Sequence, residues 1–281
     1  MTNRRMKIGI VAPASRIEPA LAEHVTALAA AQFGGRAPEL FFHPQCYLSS
    51  GHFAGADDAR AEAFVELANN PGFHAVWIAR GGYGSGRIAS RVLPRLDEAA
   101  GKKIYLGYSD TGALFGALYR NGFQNIAHGP MPADLLRENG ETAIRRALSF
   151  LVDRDKTTLE PSVSDSEPTA AFNITILCHL IGTPYEPDLS GHVLMLEEVS
   201  EHMYRIDRAL LHLTSCDSIR RVAGIRLGRC SAVPPNEPEF GKTEEDVVRH
   251  WCRVSGIPYF GRADIGHDVE NKIVPLGRLP R

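Results

Sequence analysis

Residues 103–107 read as a short apolar strand, and residues 110–120 place Leu114 and Leu118 on one helical face. Between them stands Gly107-Tyr108-Ser109-Asp110-Thr111. A serine at a strand-to-helix junction has the architecture of a nucleophile elbow. Its hydroxyl is then held at the C-terminal edge of the sheet, where open α/β folds place ligands. The N–H of Asp110 points to the same place and can donate to an oxyanion, and the helix N-terminus adds a positive partial charge. Thr111 stands where the G-x-S-x-G pattern carries its second glycine. The plain alternative is that Ser109 or Asp110 is an ordinary N-cap, and from these residues alone both readings stay open.

A second segment, Arg80-Gly81-Gly82-Tyr83-Gly84-Ser85-Gly86-Arg87, lies between a strand (74–79) and helical spacing at 88–96. Its glycines let backbone N–H groups approach a ligand closely. It is not a dinucleotide fingerprint, because it follows the third strand rather than the first. It is not a P-loop either, since no Gly-Lys-Ser/Thr closes it. Four glycines in the six positions 81–86 exceed what a tight turn needs, which favours a site of backbone donors.

A serine nucleophile requires a base, and the base an orienting acid. Among eleven histidines, His267 stands out in the loop Gly266-His267-Asp268 after the apolar residues 257–260. His128, in His-Gly-Pro, is the second candidate, whereas His179 inside residues 176–181 reads as a core or helix-face histidine. Glu197 and Glu198 follow the apolar residues 193–196, and a carboxylate at the end of a buried strand is costly unless paired. The alternative is that both acids open a long amphipathic helix over 198–214. No HExxH and no His/Cys/acid cluster has metal-ligand spacing, so neither metal nor cofactor is expected.

The elements that must position these residues alternate. Strands at 7–12, 40–43, 74–79 and 103–107 interleave with helices at 18–32, 57–69, 88–96 and 110–120. This is the pattern of an α/β protein with a Rossmann-like, mostly parallel sheet. A further helix at 141–152 precedes a polar stretch, 153–169, that reads as a linker. The expected division is an N-terminal nucleophile domain at 1–152 and a smaller C-terminal α/β domain at 170–281. Composition agrees with a globular chain: 281 residues, 44% hydrophobic and 23% charged. With 31 basic against 33 acidic residues there is no excess charge to neutralise nucleic acid. The apolar run 8–12 is too short for a signal peptide, and no run approaches the ~18 residues of a membrane span. Five cysteines, an odd number without CxxC spacing, suit a reduced, cytoplasmic chain.

Together the motifs resemble the LD-carboxypeptidases, serine peptidases that cut an L,D peptide bond in murein peptides, and their relative the microcin C immunity protein. The matching segments are Val11-Ala12-Pro13-Ala14-Ser15, Arg80-Gly81-Gly82-Tyr83-Gly84, Gly107-Tyr108-Ser109-Asp110-Thr111 and His128-Gly129-Pro130-Met131, then Gly182-Thr183-Pro184-Tyr185, Leu196-Glu197-Glu198, Tyr204-Arg205-Ile206-Asp207-Arg208 and Gly266-His267. The resemblance implies a Ser109–His267–Glu197 triad between the two parts of the chain, with Gly82 and Asp110 as oxyanion donors. It implies a murein tetrapeptide as the small peptide substrate, release of D-Ala in cell-wall recycling, and a homodimer. A carboxypeptidase must also hold the terminal carboxylate, for which Arg80 and Arg87, with Tyr83 beside them, are the candidates. Two alternatives remain: a microcin C-type peptidase cutting an aminoacyl-nucleotide amide, for which Trp251 or Tyr185 would have to stack on a base, and a non-catalytic binding protein for a small anion. The chain departs from the family at Ala171-Phe172-Asn173, where Gly-Gly-Asn is usual, and at Glu197-Glu198, where Glu-Asp is commoner.

Overall fold

The computed structural model describes residues 5–278, so the extreme ends of the expected ranges 1–152 and 170–281 lie outside the described residues. In chain order the strands are β1 (Lys7–Val11), β2 (Glu39–Phe42), β3 (Ala75–Ile78), β4 (Ile104–Gly107), β5 (Ile126–His128), β6 (Thr169–Asn173), β7 (Val193–Val199), β8 (Gly224–Ser231), β9 (Tyr259–Arg262) and β10 (Val274–Leu276). The helices are α1 (Pro19–Phe33), α2 (Asp57–Asn69), α3 (Ala89–Val92), α4 (Glu98–Gly101), α5 (Thr111–Arg120), α6 (Gly140–Asp153), α7 (Ile174–Leu180), α8 (Met203–Ser215) and α9 (Glu244–Ser255).

Two sheets result, one of six strands in the order β10-β5-β4-β3-β1-β2 and one of four in the order β6-β7-β8-β9. Every pairing is parallel except β10 on β5. The apolar periodicity accounts for this. β3 and β4 are buried at every position, as strands covered on both faces must be. The sheets share one core: Leu114 and Leu118 of α5, Leu177 and Leu180 of α7, and Leu194 and Leu196 of β7 belong to a single cluster. Each such side chain stabilises by about 1.5–3 kcal/mol when buried. The α5–α7 approach depends on Gly116, where a Cβ would come within 2.8 Å of Leu180 Cδ1.

Two expected elements are corrected. The helix at 88–96 breaks into a 3₁₀ turn at Gly86–Ile88, α3, and a second 3₁₀ turn at Leu93–Arg95, because Pro94 cannot donate to a continuing helix. The long helix at 198–214 begins only at Met203. β7 runs on through both glutamates to Val199, and Ser200, at φ 59°, turns the chain.

The last strand matters most for the site. β10 returns to the first sheet and pairs Val274 with His128. At its far end Thr169 and Gly277 exchange backbone hydrogen bonds of 2.9 and 2.8 Å, which ties β6 to β10 and so one sheet to the other.

Candidate active site

Ser109 sits where β4 meets α5, in the left-handed region at φ 61°. For a non-glycine residue that costs on the order of 1–2 kcal/mol. The junction is tight: a Cβ on Gly107 would come within 2.9 Å of Ile78 Cβ, and one on Gly81 within 3.1 Å of Ser109 Oγ. The N-cap reading is not realised. Asp110 occupies the cap position, yet its side chain makes no capping bond to α5. It turns instead to the glycine loop, where its Oδ2 accepts the Ser85 N–H at 2.8 Å and its carbonyl accepts the Ser85 hydroxyl at 2.5 Å. Burial pushes the Asp110 carboxyl up, opposed by the hydrogen bonds from Ser85.

The other end of this loop is held by Arg60, whose fully buried guanidinium donates to the Gly84 carbonyl at 2.9 Å and to the Pro13 carbonyl. Asp57 pairs with it as counter-ion. Gly82, at φ 115°, has no room for a Cβ, which would collide with Ser15 Oγ. Among the described residues, neither the Gly82 nor the Asp110 backbone N–H has a protein acceptor.

Ser109 Oγ lies 3.0 Å from His267 Nε2. His267 Nδ1 lies 2.5 Å from Glu197 Oε2. With Nδ1–H donating to the carboxylate, Nε2 is left to accept the serine proton. Burial opposes a charge on His267, but the Glu197 carboxylate beside it prevails, and the imidazole pKa stands above its ordinary value. Glu197 is wholly buried on β7, and Gly228 of the neighbouring β8 makes room for it, its would-be Cβ lying 3.0 Å from Glu197 Cβ.

Successive strand residues face opposite ways, so Glu198 turns from His267. It accepts from Asn173 Nδ2 (2.5 Å), Val199 N–H (2.9 Å), Thr175 N–H (3.0 Å) and Thr175 Oγ1 (2.8 Å), joining β7 to the start of α7. The geometry therefore separates the two acids that the sequence left together.

The loop carrying His267 is pinned on three sides. Asn271 Oδ1 accepts from Gly266 N–H at 3.2 Å and from His128 Nε2 at 3.0 Å. Arg146 donates to the carbonyls of Val269 (2.6 Å) and Asn271 (3.1 Å). Arg229 bonds Asp264 (2.6 Å) and Asp268 (2.9 Å). His128 is thus a support for the loop rather than a partner of Ser109, and burial holds its pKa down. His179 lies on α7 beside Arg205 and Arg208 of α8.

The remaining candidates are dispersed. Arg87 is engaged by Asp57 at 2.9 Å and lies over the Phe53 ring at 5.3 Å. Arg80 donates to the Arg16 carbonyl at 3.3 Å. Tyr83 is 56% exposed, with its ring 5.9 Å from Phe53. Trp251 is tied by its indole N–H to Asp207 at 2.9 Å. Ala171 and Phe172 are buried and, with Gly112, wall a small enclosed space behind Ser109. Sequence reading passed over Tyr108, Asp134 and Arg137. The Tyr108 ring lies 4.9 Å from that of His267, and its hydroxyl donates to Asp134 Oδ1 at 2.7 Å. Asp134 and Arg137 lie in a stretch without a motif, and only the fold brings them to the site. Among the described residues no three His, Cys, Asp or Glu side chains gather as a metal set, and no helix is long and apolar enough to cross a membrane.

The models of the LD-carboxypeptidase N-terminal domain and C-terminal domain match residues 8–129 and 169–280. The chain is 28% identical to a probable murein peptide carboxypeptidase of Bacillus subtilis over 286 residues, covering 98% of this chain and 88% of that one. It is 28% identical to the murein tetrapeptide carboxypeptidase of Pseudomonas aeruginosa over 249 residues, covering 81% and 78%. Among solved structures, muramoyltetrapeptide carboxypeptidase from Oxalobacter formigenes superposes with a TM-score of 0.77 at 26% identity, covering 96% and 93%. The microcin C7 self-immunity protein MccF superposes with a TM-score of 0.78 at 18% identity, covering 97% and 91%, a likeness of fold. A six-stranded sheet whose interior strand β4 leads into a strained serine elbow, a second parallel sheet, and family models matching on both sides of the 153–169 stretch lead to one assignment: the chain belongs to the LD-carboxypeptidase family.

Proposed function

We propose that the protein is a serine carboxypeptidase that hydrolyses an L,D peptide bond and releases the C-terminal D-alanine of a murein tetrapeptide. The observation that carries this reading is the unbroken relay from Ser109 Oγ through His267 to Glu197, built on a serine held in a strained conformation. His267 Nε2 takes the Ser109 proton as Oγ attacks the carbonyl before the D-residue. Glu197 keeps the Nδ1–H tautomer and offsets the imidazolium that forms. The Gly82 and Asp110 N–H groups receive the oxyanion. His267 then gives its proton to the leaving amine, and water, activated in the same way, frees the acyl group from Ser109. The setting we propose is recycling of murein fragments in the cytoplasm by a homodimer, to which the five free thiols are suited.

The test is D-alanine release from a murein tetrapeptide by the purified protein and by Ser109→Ala. The substitution is expected to lower kcat by about 10⁴–10⁶-fold. Equal release by both proteins overturns the mechanism. An aminoacyl-nucleotide amide in the same substrate panel measures the competing specificity.

A further inference from the structure

In acyl transfer by a serine, the oxygen and the leaving nitrogen of the attacked carbonyl group have different neighbours. The oxyanion turns toward its N–H donors, and the leaving nitrogen toward the imidazole that protonates it. For a C-terminal residue, the free carboxylate sits one carbon from that nitrogen. Its receptor therefore belongs on the imidazole side of Ser109, away from the oxyanion donors.

Contacts with His267, rather than strand order, decide which loop that is. β4, which ends in the elbow, lies between β3 and β5. The loop after β3 carries Gly82, and with it Arg80 and Arg87, so both arginines stand on the oxyanion side. Arg87 is also committed to Asp57 at 2.9 Å. The loop after β5 leaves the same C-terminal edge, crosses behind the elbow to bond the end of β3, with Ala133 N–H donating to the Ala79 carbonyl at 3.0 Å, and turns through a 3₁₀ segment, Pro132–Leu136, into Arg137.

Here a rigid chain of contacts leads away from the base. The Tyr108 ring stands 4.9 Å from that of His267. Its hydroxyl donates to Asp134 Oδ1 at 2.7 Å, and the same oxygen accepts Arg137 Nε at 3.0 Å. Asp134 is itself buried and held by the Met131 N–H at 2.8 Å. The Arg137 side chain is 39% exposed and lies beside the Tyr108 hydroxyl, and among the described residues neither of its terminal nitrogens makes a hydrogen bond of good geometry to a protein acceptor. It is a guanidinium fixed at one edge with two N–H-bearing nitrogens to spare, the shape that matches a carboxylate bidentately. Arg137 is close enough to count among the charges that govern protonation of His267, where it opposes the proton.

Resting on the reading of Ser109 and His267 given above, we propose that Arg137 is the specificity-determining receptor for the free carboxylate of the leaving residue. Asp134 and Tyr108 are the residues that aim it. The substrate class this selects is a peptide with an unblocked C-terminus.

The experiment crosses enzyme with substrate. Wild type, Arg137→Ala, Arg137→Lys and Arg80→Ala are each assayed on a murein tetrapeptide ending in D-alanine and on the same peptide ending in D-alaninamide. Loss of a charge-assisted pair predicts that Arg137→Ala lowers kcat/KM on the free acid by about 10–100-fold while the amide changes little. The acid-to-amide preference then collapses toward one, and Arg137→Lys keeps part of it. The proposal is overturned if Arg137→Ala retains the preference, if it loses both substrates equally, as a merely structural residue would, or if Arg80→Ala is the variant that collapses it. Wild type that releases nothing from the acid peptide, or Ser109→Ala as active as wild type, fails at the earlier reading and removes the role of Arg137 with it.

Discussion

Substituting Glu197 by glutamine is isosteric and removes only the charge beside His267. Glu197 is fully buried, so water cannot replace what is lost. A charge-assisted hydrogen bond in such a place contributes about 1.5–3 kcal/mol, or roughly 10–150-fold in rate. A second effect adds to it. The glutamine amide can donate an N–H to Nδ1, which leaves the ring proton on Nε2, pointing at Ser109 where an acceptor is needed. The same tautomer fault in a serine-protease triad costs about 10⁴-fold in kcat, and that is the loss expected here. The pH profile of kcat/KM for D-alanine release supplies an independent sign. His267 must be neutral to act as base, and Glu197 raises its pKa against the effect of burial. Without the carboxylate, burial is the largest remaining effect on His267, so the acid limb moves to lower pH even as the plateau falls. The stability sign runs the same way. The folded pKa of His267 lies above the ordinary ~6.5 of the unfolded chain. Its proton therefore contributes stability that is present in full below about pH 6.5 and is lost as pH rises through the folded value, a contribution the variant lacks. Glu198→Gln is the control. It disturbs the junction of β7 with α7, lowers stability by about 1–3 kcal/mol and leaves the acid limb in place. A Glu197→Gln enzyme within tenfold of wild type, or an acid limb displaced upward, refutes the assignment of Glu197.

Gly82→Ala brings a Cβ against Ser15 at a backbone φ of 115°. The displaced N–H predicts a loss of about 10²–10³ in kcat with little change in KM, and single-turnover acylation at the wild-type rate would refute it. Asn271→Ala removes the acceptor shared by Gly266 and His128, so the His267 loop slackens. A displacement near 1 Å predicts roughly 10²-fold in kcat, with KM held, and an unchanged kcat in a folded variant would be decisive against it. Phe172→Ala removes a buried ring packed on one side against Gly112 of α5 and is expected to cost about 3–5 kcal/mol in denaturant unfolding, a figure below 1 kcal/mol being incompatible with this packing.

Much of this was legible because local periodicity is strong. α2 was placed to the residue, and β3, β4 and α5 to within one. Ser109 was legible as an elbow because strand, serine and helix lie within a few residues of one another. What short-range pattern cannot reveal is which of several like residues the fold turns inward. Glu197 and Glu198 are neighbours of the same type, and only the alternation along β7 sends one to His267 and the other to α7. The helix expected at 198–214 failed for the related reason that its period was extended backward into a buried strand. Arg137 was invisible because only the fold links it, through Asp134 and Tyr108, to His267, and no single segment carries that chain.

The sheet order β10-β5-β4 explains why the proposed base can be carried by a part of the chain so distant from the serine. His267 is 158 residues from Ser109. It is nevertheless only a short loop away from β10, which is hydrogen-bonded to β5, and β5 is hydrogen-bonded to β4, the strand that presents Ser109. His128 makes this coupling concrete. Its backbone lies opposite Gly107 in one ladder and Val274 in the other, while its side chain holds Asn271 in the loop between His267 and β10. The distance from Ser109 to His267 is thus set inside one sheet rather than by docking one rigid body on another. Glu197 alone arrives from the second sheet, and the β6–β10 bridge at Thr169 and Gly277 joins that sheet to the same frame. A relay that tolerates little displacement is therefore assembled across two sheets without relying on a mobile joint at its most demanding contact.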